Sequence, residues 1–243
     1  MIKFENVSKL YGTQGSGLET KALSNINLFL RSGELSFITG HSGAGKTTML
    51  RLIMGLTMPT AGNLIVANYN IGQLSKSQLP FYRRNLGMIF QNPCLLPNRT
   101  VFENIELPLI IAGLDTIERR RLVRAALDKV SLSHKEKSYP LMLSTGEQQR
   151  VGIARAVVTK PKILLADEPT GNLDPVLSSE IMKLFEAFRQ VGVCILIATH
   201  DLALIARLQY RIITICGGEL INIEDTEHTE YTAKETQELI YEQ

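Results

Sequence analysis

The sequence predicts an α/β fold: a mixed sheet core that carries an antiparallel β subdomain and an inserted α-helical subdomain. Two observations support the core. A short apolar run at residues 34–39 leads through a glycine-rich loop into a segment, 46–54, whose apolar residues recur at helical spacing. Two apolar runs without alternation, 163–167 and 193–199, are typical of strands covered on both faces, and residues 176–190 between them have the length of a crossover helix.

The antiparallel subdomain is predicted from segments on either side of the glycine-rich loop. Residues 2–7 and 22–30 alternate apolar and polar side chains, as half-exposed strands do. A short strand is expected at 64–67, and a buried strand at 86–90 is expected to end at Gln91. The chain should therefore begin as an antiparallel pair before the buried strands start.

The character of the sequence shifts to helix from residue 92 to about residue 141. Residues 101–111 are apolar with Pro108 among them, and residues 117–130 are amphipathic. A basic run at 119–124 is either a docking surface for a partner or the solvated face of this second helix, and such runs are more often solvated faces. We expect a helical subdomain inserted into the α/β core.

The glycine-rich loop carries a complete phosphate-binding motif. It reads G-H-S-G-A-G-K-T and fits the pattern G-x-x-x-x-G-K-[ST]. Glycines let the backbone N–H groups curl around a triphosphate, and the helix that follows points its positive end at the same place. Lys46 is expected to reach the β- and γ-phosphates, and the Thr47 hydroxyl to hold Mg²⁺. The predicted nucleotide contacts in this segment are Gly40, His41, Ser42, Gly43, Ala44, Gly45, Lys46, Thr47 and Thr48.

Polar side chains also lie at the ends of the other buried strands. They are Gln91, Asp167, Glu168 and His200. Functional groups gather outside the carboxyl ends of the strands in an open parallel sheet, so we expect these four to converge on the phosphate loop. A single histidine at a strand end usually has no special role, and an acidic pair often only caps a helix. The complete set beside a phosphate loop nevertheless indicates a catalytic site.

The charges of these groups indicate roles in hydrolysis of a nucleoside triphosphate. Asp167 is placed to hold Mg²⁺ together with Thr47. Glu168, one residue further, would face the terminal phosphate and polarise the attacking water. His200 would contact the γ-phosphate and report its presence. The predicted catalytic residues are therefore Glu168, His200 and Lys46.

A further helix is predicted to begin within Leu143–Arg150, which reads L-S-T-G-E-Q-Q-R. Ser144 and Glu147 stand at the spacing of a capping box. The motif is then either only a helix cap or, because free N–H groups lie at the head of the helix, also a second anion site.

Composition and charge limit the classes of function. The chain has 243 residues, a net charge of +2, 6% aromatic residues and no Trp, so no nucleic-acid partner is expected. Its three cysteines are far apart and form no C-x-x-C pair, which disfavours a disulfide framework or a zinc site and indicates a reducing cytosol. No apolar stretch approaches the roughly 20 residues that span a bilayer, and no signal peptide is expected. A role at a membrane would need another chain to supply the span.

The order of the motifs resembles the ATP-binding cassette (ABC) family, over the chain up to about residue 222. The resembling segments are Gly40–Thr47 as Walker A, Gln91 as the Q-loop, Leu143–Arg150 as the signature, Ile163–Glu168 as Walker B, Asn172–Asp174 as the D-loop and His200 as the switch. The resemblance implies a P-loop NTPase fold of the ABC ATPase type, Mg²⁺-dependent ATP hydrolysis and an ATP-dependent homodimer.

In this family two subunits enclose two ATP molecules, and the resemblance implies further contacts on that basis. Those to the ATP of the opposite subunit are Ser144, Gly146 and Asp174; Tyr11 would stack on adenine, and Gln91 would bind ATP and join the Mg²⁺ ligands. The signature departs from the usual L-S-G-G-E at Thr145. A β-branched residue is acceptable there if φ is negative, whereas crowding of the phosphate would slow turnover.

Within the family, residues 80–91, 99–101, 108–113 and 146–174 are similar to a branch that acts in bacterial cell division. The similarity implies an FtsX-like integral membrane partner of the permease type, a place on the cytoplasmic face of the bacterial inner membrane through that partner, and ATP-driven control of peptidoglycan hydrolysis. The ATPase of a lipoprotein-extracting or efflux transporter is the alternative.

Two other classes of protein are disfavoured. A soluble cassette protein of DNA repair or translation usually shows a second cassette or a long coiled-coil insertion, and neither is visible here. A module that binds ATP without turnover would not need Glu168 and His200.

We assign residues 1–223 to the ATPase domain, with the helical subdomain at about 92–141, and residues 224–243 to an acidic C-terminal tail. The tail is either a frayed acidic end, the favoured interpretation, or a short docking helix at 232–241.

Overall fold

The computed structural model describes residues 1–12, 19–171 and 173–224. The acidic segment from residue 225 onward, with its two interpretations, lies outside the described residues, and so does Asn172 of the predicted D-loop. The strands are β1 (Ile2–Tyr11), β2 (Thr20–Leu30), β3 (Leu35–Thr39), β4 (Ala61–Val66), β5 (Tyr69–Asn70), β6 (Leu86–Ile89), β7 (Ile163–Asp167), β8 (Cys194–Ala198), β9 (Arg211–Cys216) and β10 (Glu219–Glu224). The α-helices are α1 (Lys46–Ile53), α2 (Leu79–Arg83), α3 (Val101–Ala112), α4 (Thr116–Lys129), α5 (Thr145–Val157), α6 (Pro175–Gln190) and α7 (Leu202–Leu208).

Within the described residues the strands form two sheets. The smaller sheet has the order β2-β1-β4-β5 and its pairs are antiparallel. The larger has the order β10-β9-β3-β8-β7-β6, in which only β10 runs against its neighbour. The predicted mixed sheet with an antiparallel β subdomain is confirmed, and so is the β7-α6-β8 crossover, since Ile163 pairs with Cys194 in parallel register.

The larger sheet is the middle of three layers. Its strands alternate between two apolar clusters: Phe37, Leu164 and Ile195 face the cluster formed with α3 to α6. Ile38 and Leu165 face the cluster formed with α1 and the smaller sheet. Both faces are covered, which explains why the parallel strands read as continuous apolar runs.

The helical region begins at a capping box, in which the Thr100 hydroxyl accepts from the Glu103 N–H and the Glu103 carboxylate accepts from the Thr100 N–H. Helix α3 then ends at Gly113 with φ 80°, a conformation that glycine adopts without strain. The buried side chains of α3 and α4 belong to the same apolar cluster as the sheet. The domain boundaries assigned above remain predictions.

The basic run on α4 pairs largely within the helical region. Arg119 Nε lies 2.8 Å from a carboxylate oxygen of Glu106, and Arg124 Nε lies 3.4 Å from one of Glu136. These contacts give two arginines of the run carboxylate partners within the helical region.

Some element ends differ from the predictions. Strand β1 continues past Val7 to Tyr11 because it keeps pairing with β2 through register shifts, with Tyr11 opposite Thr20. Strand β4 covers Ala61–Val66, and Ala67 has left the strand with φ 48°. The β9–β10 hairpin, with its Gly217–Gly218 turn, and the short helices α2 and α7 had no prediction.

Candidate active site

The loop between β3 and α1 has a backbone that only glycine can follow at two points. Gly40 has φ 147° and Gly45 has φ 116°. A Cβ atom on Gly40 would lie 2.1 Å from the Ile215 carbonyl oxygen, and one on Gly45 would lie 2.8 Å from that of Ala22. The loop is therefore held between β9 and β2, and its curvature is fixed by packing as well as by local preference.

The head of α1 leaves its first N–H groups available. Gly45 caps the helix without a side-chain hydrogen bond, so those N–H groups and the positive end of the helix remain free to bind an anion. The Lys46 ammonium donates to the carbonyl oxygens of Gly40 at 2.6 Å and His41 at 3.1 Å. The lysine thus lies across the loop, where it can exchange these neutral acceptors for phosphate oxygens.

Asp167 lies beside the start of α1. The Thr47 hydroxyl donates to Asp167 Oδ2 at 3.3 Å. Partial burial raises the pKa of Asp167, although the Thr47 hydrogen bond opposes the shift. A hydroxyl and a carboxylate in contact at the foot of a phosphate loop form a donor set of the kind that Mg²⁺ binds.

Glu168 occupies a strained position at the end of β7. Its φ is 49°, unusual for a residue other than glycine and often found at functional sites. One carboxylate oxygen lies 2.6 Å from His200 Nδ1, and the other accepts from the Thr199 hydroxyl at 3.2 Å. The His200 side chain is 72% exposed and that of Glu168 only 15%, so the imidazole forms the outer edge of the site and the carboxylate the inner part.

Gln91 follows β6 and approaches the loop after β7. A Cβ atom on Gly171 would lie 3.3 Å from Gln91 Nε2. The backbone around it is held from α5, where Gln149 Nε2 donates to the Phe90 carbonyl oxygen at 3.2 Å. Arg155, on the same helix, donates to the carbonyl oxygens of Pro93 and Cys94. Helix α5 therefore fixes the path of the chain after Gln91.

The start of α5 forms the predicted capping box. The Ser144 hydroxyl accepts from the Glu147 N–H, and the Glu147 carboxylate accepts from the Ser144 N–H, which holds the pKa of Glu147 below its usual value. Thr145 is the first residue of the helix and does not have a positive φ. A β-branched side chain is therefore acceptable at this position. Gly146 is buried, and a Cβ atom there would lie 2.1 Å from Leu177 Cδ2.

The structure brings some predicted residues together and leaves others apart. The phosphate loop, Asp167, Glu168 and His200 lie at the carboxyl edge of β3, β8 and β7, which are adjacent strands. Among the described residues, no hydrogen bond joins this group to Ser144, Gly146, Asp174 or Tyr11. Asp174 caps α6 by accepting from two backbone N–H groups at 3.0 Å. Tyr11, 36% exposed, lies at the end of β1 with Lys9 Nζ 5.0 Å from its ring centroid.

Sequence reasoning missed three residues that support the site: Thr199, Gln149 and Arg155. Thr199 could have been found, since a threonine at the end of a buried strand next to His200 is placed to contact the same groups. Gln149 and Arg155 gave no signal, because a glutamine and an arginine in a helix are ordinary until the fold shows which carbonyl groups they face.

A glycine-rich phosphate loop, an acidic pair and a histidine on adjacent strands, together with a second capped helix, define an ABC-type ATPase. The chain matches the ABC transporter family over residues 23–171 and belongs to that family. It is 53% identical to the cell division ATP-binding protein FtsE of Escherichia coli (strain K12) over 222 residues, which cover 90% of this chain and 97% of that protein. It is 43% identical to the protein of the same name from Streptococcus pneumoniae (serotype 2, strain D39) over 92% of this chain and 95% of the relative.

A solved structure shares the fold. It is the dimeric, post-hydrolysis state of the ATP-binding cassette MJ0796 bound to ADP and Pi, with a TM-score of 0.84 and 37% identity over 93% of this chain and 98% of that one. Within the described parts of this chain, every helix is too short or too polar to cross a membrane.

Proposed function

We propose that this chain hydrolyses ATP to drive an FtsX-like integral membrane protein in bacterial cell division, and so controls peptidoglycan hydrolysis. The observation that carries the enzymatic part is the meeting of the phosphate loop, the Thr47–Asp167 contact and the Glu168–His200 pair at one sheet edge. The cell-division part rests on the similarity to the FtsE proteins, which extends along 97% of the E. coli relative. The chain would then lie on the cytoplasmic face of the inner membrane, held there by its partner.

The chemistry assigned to the site follows from the positions of its polar groups. Backbone N–H groups of the loop and the head of α1 bind the phosphates, and the Lys46 ammonium transfers from the loop carbonyls to the β- and γ-phosphates. Glu168 accepts the proton of the attacking water, and Thr199 and His200 orient its two oxygens. These two contacts hold the carboxylate in a defined direction before the substrate arrives, on a backbone with φ 49°.

Thr47, Asp167 and Gln91 would hold Mg²⁺. Their hydroxyl, carboxylate and amide oxygens are hard ligands of the type this ion prefers. When bound, the ion neutralises charge on the phosphate oxygens.

The second capped helix favours an ATP-dependent homodimer. The N–H groups at the head of α5 form an anion site that makes no hydrogen bond to the phosphate loop of its own chain within the described residues. In a symmetric dimer, Ser144, Gly146 and Asp174 of one copy would contact the ATP on the loop of the other.

Glu168→Gln tests the enzymatic part. Glutamine keeps an oxygen to accept from Thr199 but cannot take a proton from water, so phosphate release should fall by about 10² to 10⁴ while ATP affinity changes little. Glu118→Gln, at an exposed position on α4 away from the site, is the control and should retain full turnover. Undiminished phosphate release by Glu168→Gln would overturn the assignment.

The same variant tests dimer formation. Because it binds ATP without cleaving it, the closed dimer should accumulate. Size-exclusion chromatography should show a doubled mass only with ATP.

For the biological role, the parent chain but not Glu168→Gln should restore septation in cells depleted of their own FtsE. Failure of the parent chain, with the membrane partner co-expressed, would favour the transporter alternative.

A further inference from the structure

A groove lies at the edge of the larger sheet opposite the active site. It has a volume of about 830 Å³ and is bordered by α4, by the turn after α5 that leads into β7, and by the turn between α6 and β8. Its apolar lining includes Leu122, Val157, Phe188 and Val193. None of the residues assigned to ATP binding or hydrolysis lines it.

The rim of this groove is basic. Arg121, Lys129, Lys160 and Lys162 are exposed and line it, and no acidic residue is among the lining residues. Lys129 Nζ lies 5.6 Å from the centroid of the Phe188 ring, and Arg121 makes one long contact of 3.8 Å, to Glu118. Among the described residues, no carboxylate pairs with the three lysines. Three lysines without carboxylate partners around an apolar floor suit an acidic segment that also carries apolar side chains.

Residues 225–243 of this chain have that composition. The acidic residues are Asp225, Glu227, Glu230, Glu235, Glu238 and Glu242, against one lysine, Lys234. The segment also contains Tyr231, Leu239, Ile240 and Tyr241. It therefore matches the groove in the sign of its charge and in its apolar content.

The segment also begins at the edge of the larger sheet where the groove lies, the edge at which the parallel strands start. Strand β10 runs against β9, and its last residue, Glu224, pairs with Ile212 near the start of β9. The groove lies where β7 and β8 start, since Lys162 and Val193 line it. With strands about 4.8 Å apart, the four steps from β10 to β7 span about 20 Å. Fewer than about ten extended residues cover that distance, which leaves the rest of the segment free to fill the groove.

We propose that residues 225–243 dock into the basic groove of their own chain. Their carboxylates pair with Lys129, Lys160 and Lys162, and their aromatic and aliphatic side chains cover the apolar floor. Because the groove is shared by α4 and the β7–β8 edge, the docked segment connects the helical region to the core.

The test uses the full chain and two measurements. A carbodiimide, which joins a carboxylate to an amine with loss of water, should link peptides of the segment to the three groove lysines. Mixing ¹⁵N-labelled and unlabelled protein separates links within one chain from links between chains. Cleavage within the segment by a glutamate-specific protease should accelerate about tenfold in the Lys129→Gln/Lys160→Gln/Lys162→Gln variant and at high salt, because the pairs are exposed and screened.

The matched control is Lys76→Gln/Lys137→Gln/Lys183→Gln, which removes three exposed lysines that do not line the groove. It should leave the cleavage rate unchanged, and thermal unfolding should confirm that both triple variants are folded. Equal cleavage rates in the parent and the groove variant would overturn the proposal and leave the groove to another anionic occupant. Links found only between chains would overturn it too, in favour of a second copy as the occupant.

Discussion

Replacing Gly146 by alanine should lower the free energy of unfolding when Leu177 is present and raise it when Leu177 is replaced by alanine. The added Cβ atom would lie 2.1 Å from Leu177 Cδ2 and 3.3 Å from Cγ. Ordinary carbon contacts need about 3.6 Å, so the end of Leu177 must move by about 1.5 Å. Crowding of this kind costs about 1 to 3 kcal/mol, and the higher helix propensity of alanine returns up to about 1 kcal/mol. We expect a net loss of about 1 kcal/mol.

In a Leu177→Ala background the clashing atoms are gone, and only the helix propensity remains. Gly146→Ala should then stabilise the protein by about 0.5 kcal/mol, which gives an interaction energy of about 1.5 kcal/mol across the double-mutant cycle. Urea denaturation of the four proteins measures it. Thr145→Ala, at the exposed neighbouring position, is the control and should have the same effect in both backgrounds. If Gly146→Ala were equally costly with Leu177 and with alanine at that position, the packing explanation would be wrong.

Three further predictions concern groups that support the site or the fold. The Arg189 guanidinium holds the pKa of Glu186 at about 2, below its ordinary 4.5, so Glu186→Gln should lower the free energy of unfolding by about 1 kcal/mol at pH 7. In denaturation measured at several pH values, the difference between the two proteins should shrink as the pH falls below 4.5. A difference that stays constant would contradict this prediction. Thr199→Val removes the donor to Glu168 and should lower kcat about tenfold, whereas Thr199→Ser should retain it; equal kcat values would refute the orienting role. Arg155→Gln should destabilise the chain by about 2 kcal/mol, measured against an exposed arginine changed to glutamine, because two carbonyl groups lose a charged donor. Unchanged stability would refute the supporting role of Arg155.

Much of the fold was readable because its signals are local. The strand before Gly40 and the helix after Lys46 are specified by adjacent residues, and the S-x-x-E spacing places the start of α5 at Ser144. The βαβ unit followed from two apolar runs with a helix-length segment between them. The β9–β10 hairpin was missed although β9 is longer than β3, β7 and β8. The helices α2 and α7 were missed because so few turns give little apolar periodicity to read.

The candidate site divides in the same way. The sequence pattern predicted that the phosphate loop, Asp167, Glu168 and His200 lie at one sheet edge, because each follows a recognisable strand, and they do lie there. The sequence could not indicate that His200 lies 2.6 Å from a Glu168 oxygen or that a side chain at Gly146 would crowd Leu177. Those facts join residues that are distant along the chain.

The sequence by itself determined the order of the motifs, the positions of the glycines and the carboxyl-edge location of the polar groups, because backbone preference and periodicity act over a few residues. Only the tertiary structure decided how α5 positions the chain after Gln91 through Gln149 and Arg155, and which lysines lie around the groove. Such contacts depend on the packing of whole layers against one another, and this packing minimises exposed apolar surface over the entire domain rather than within any one segment.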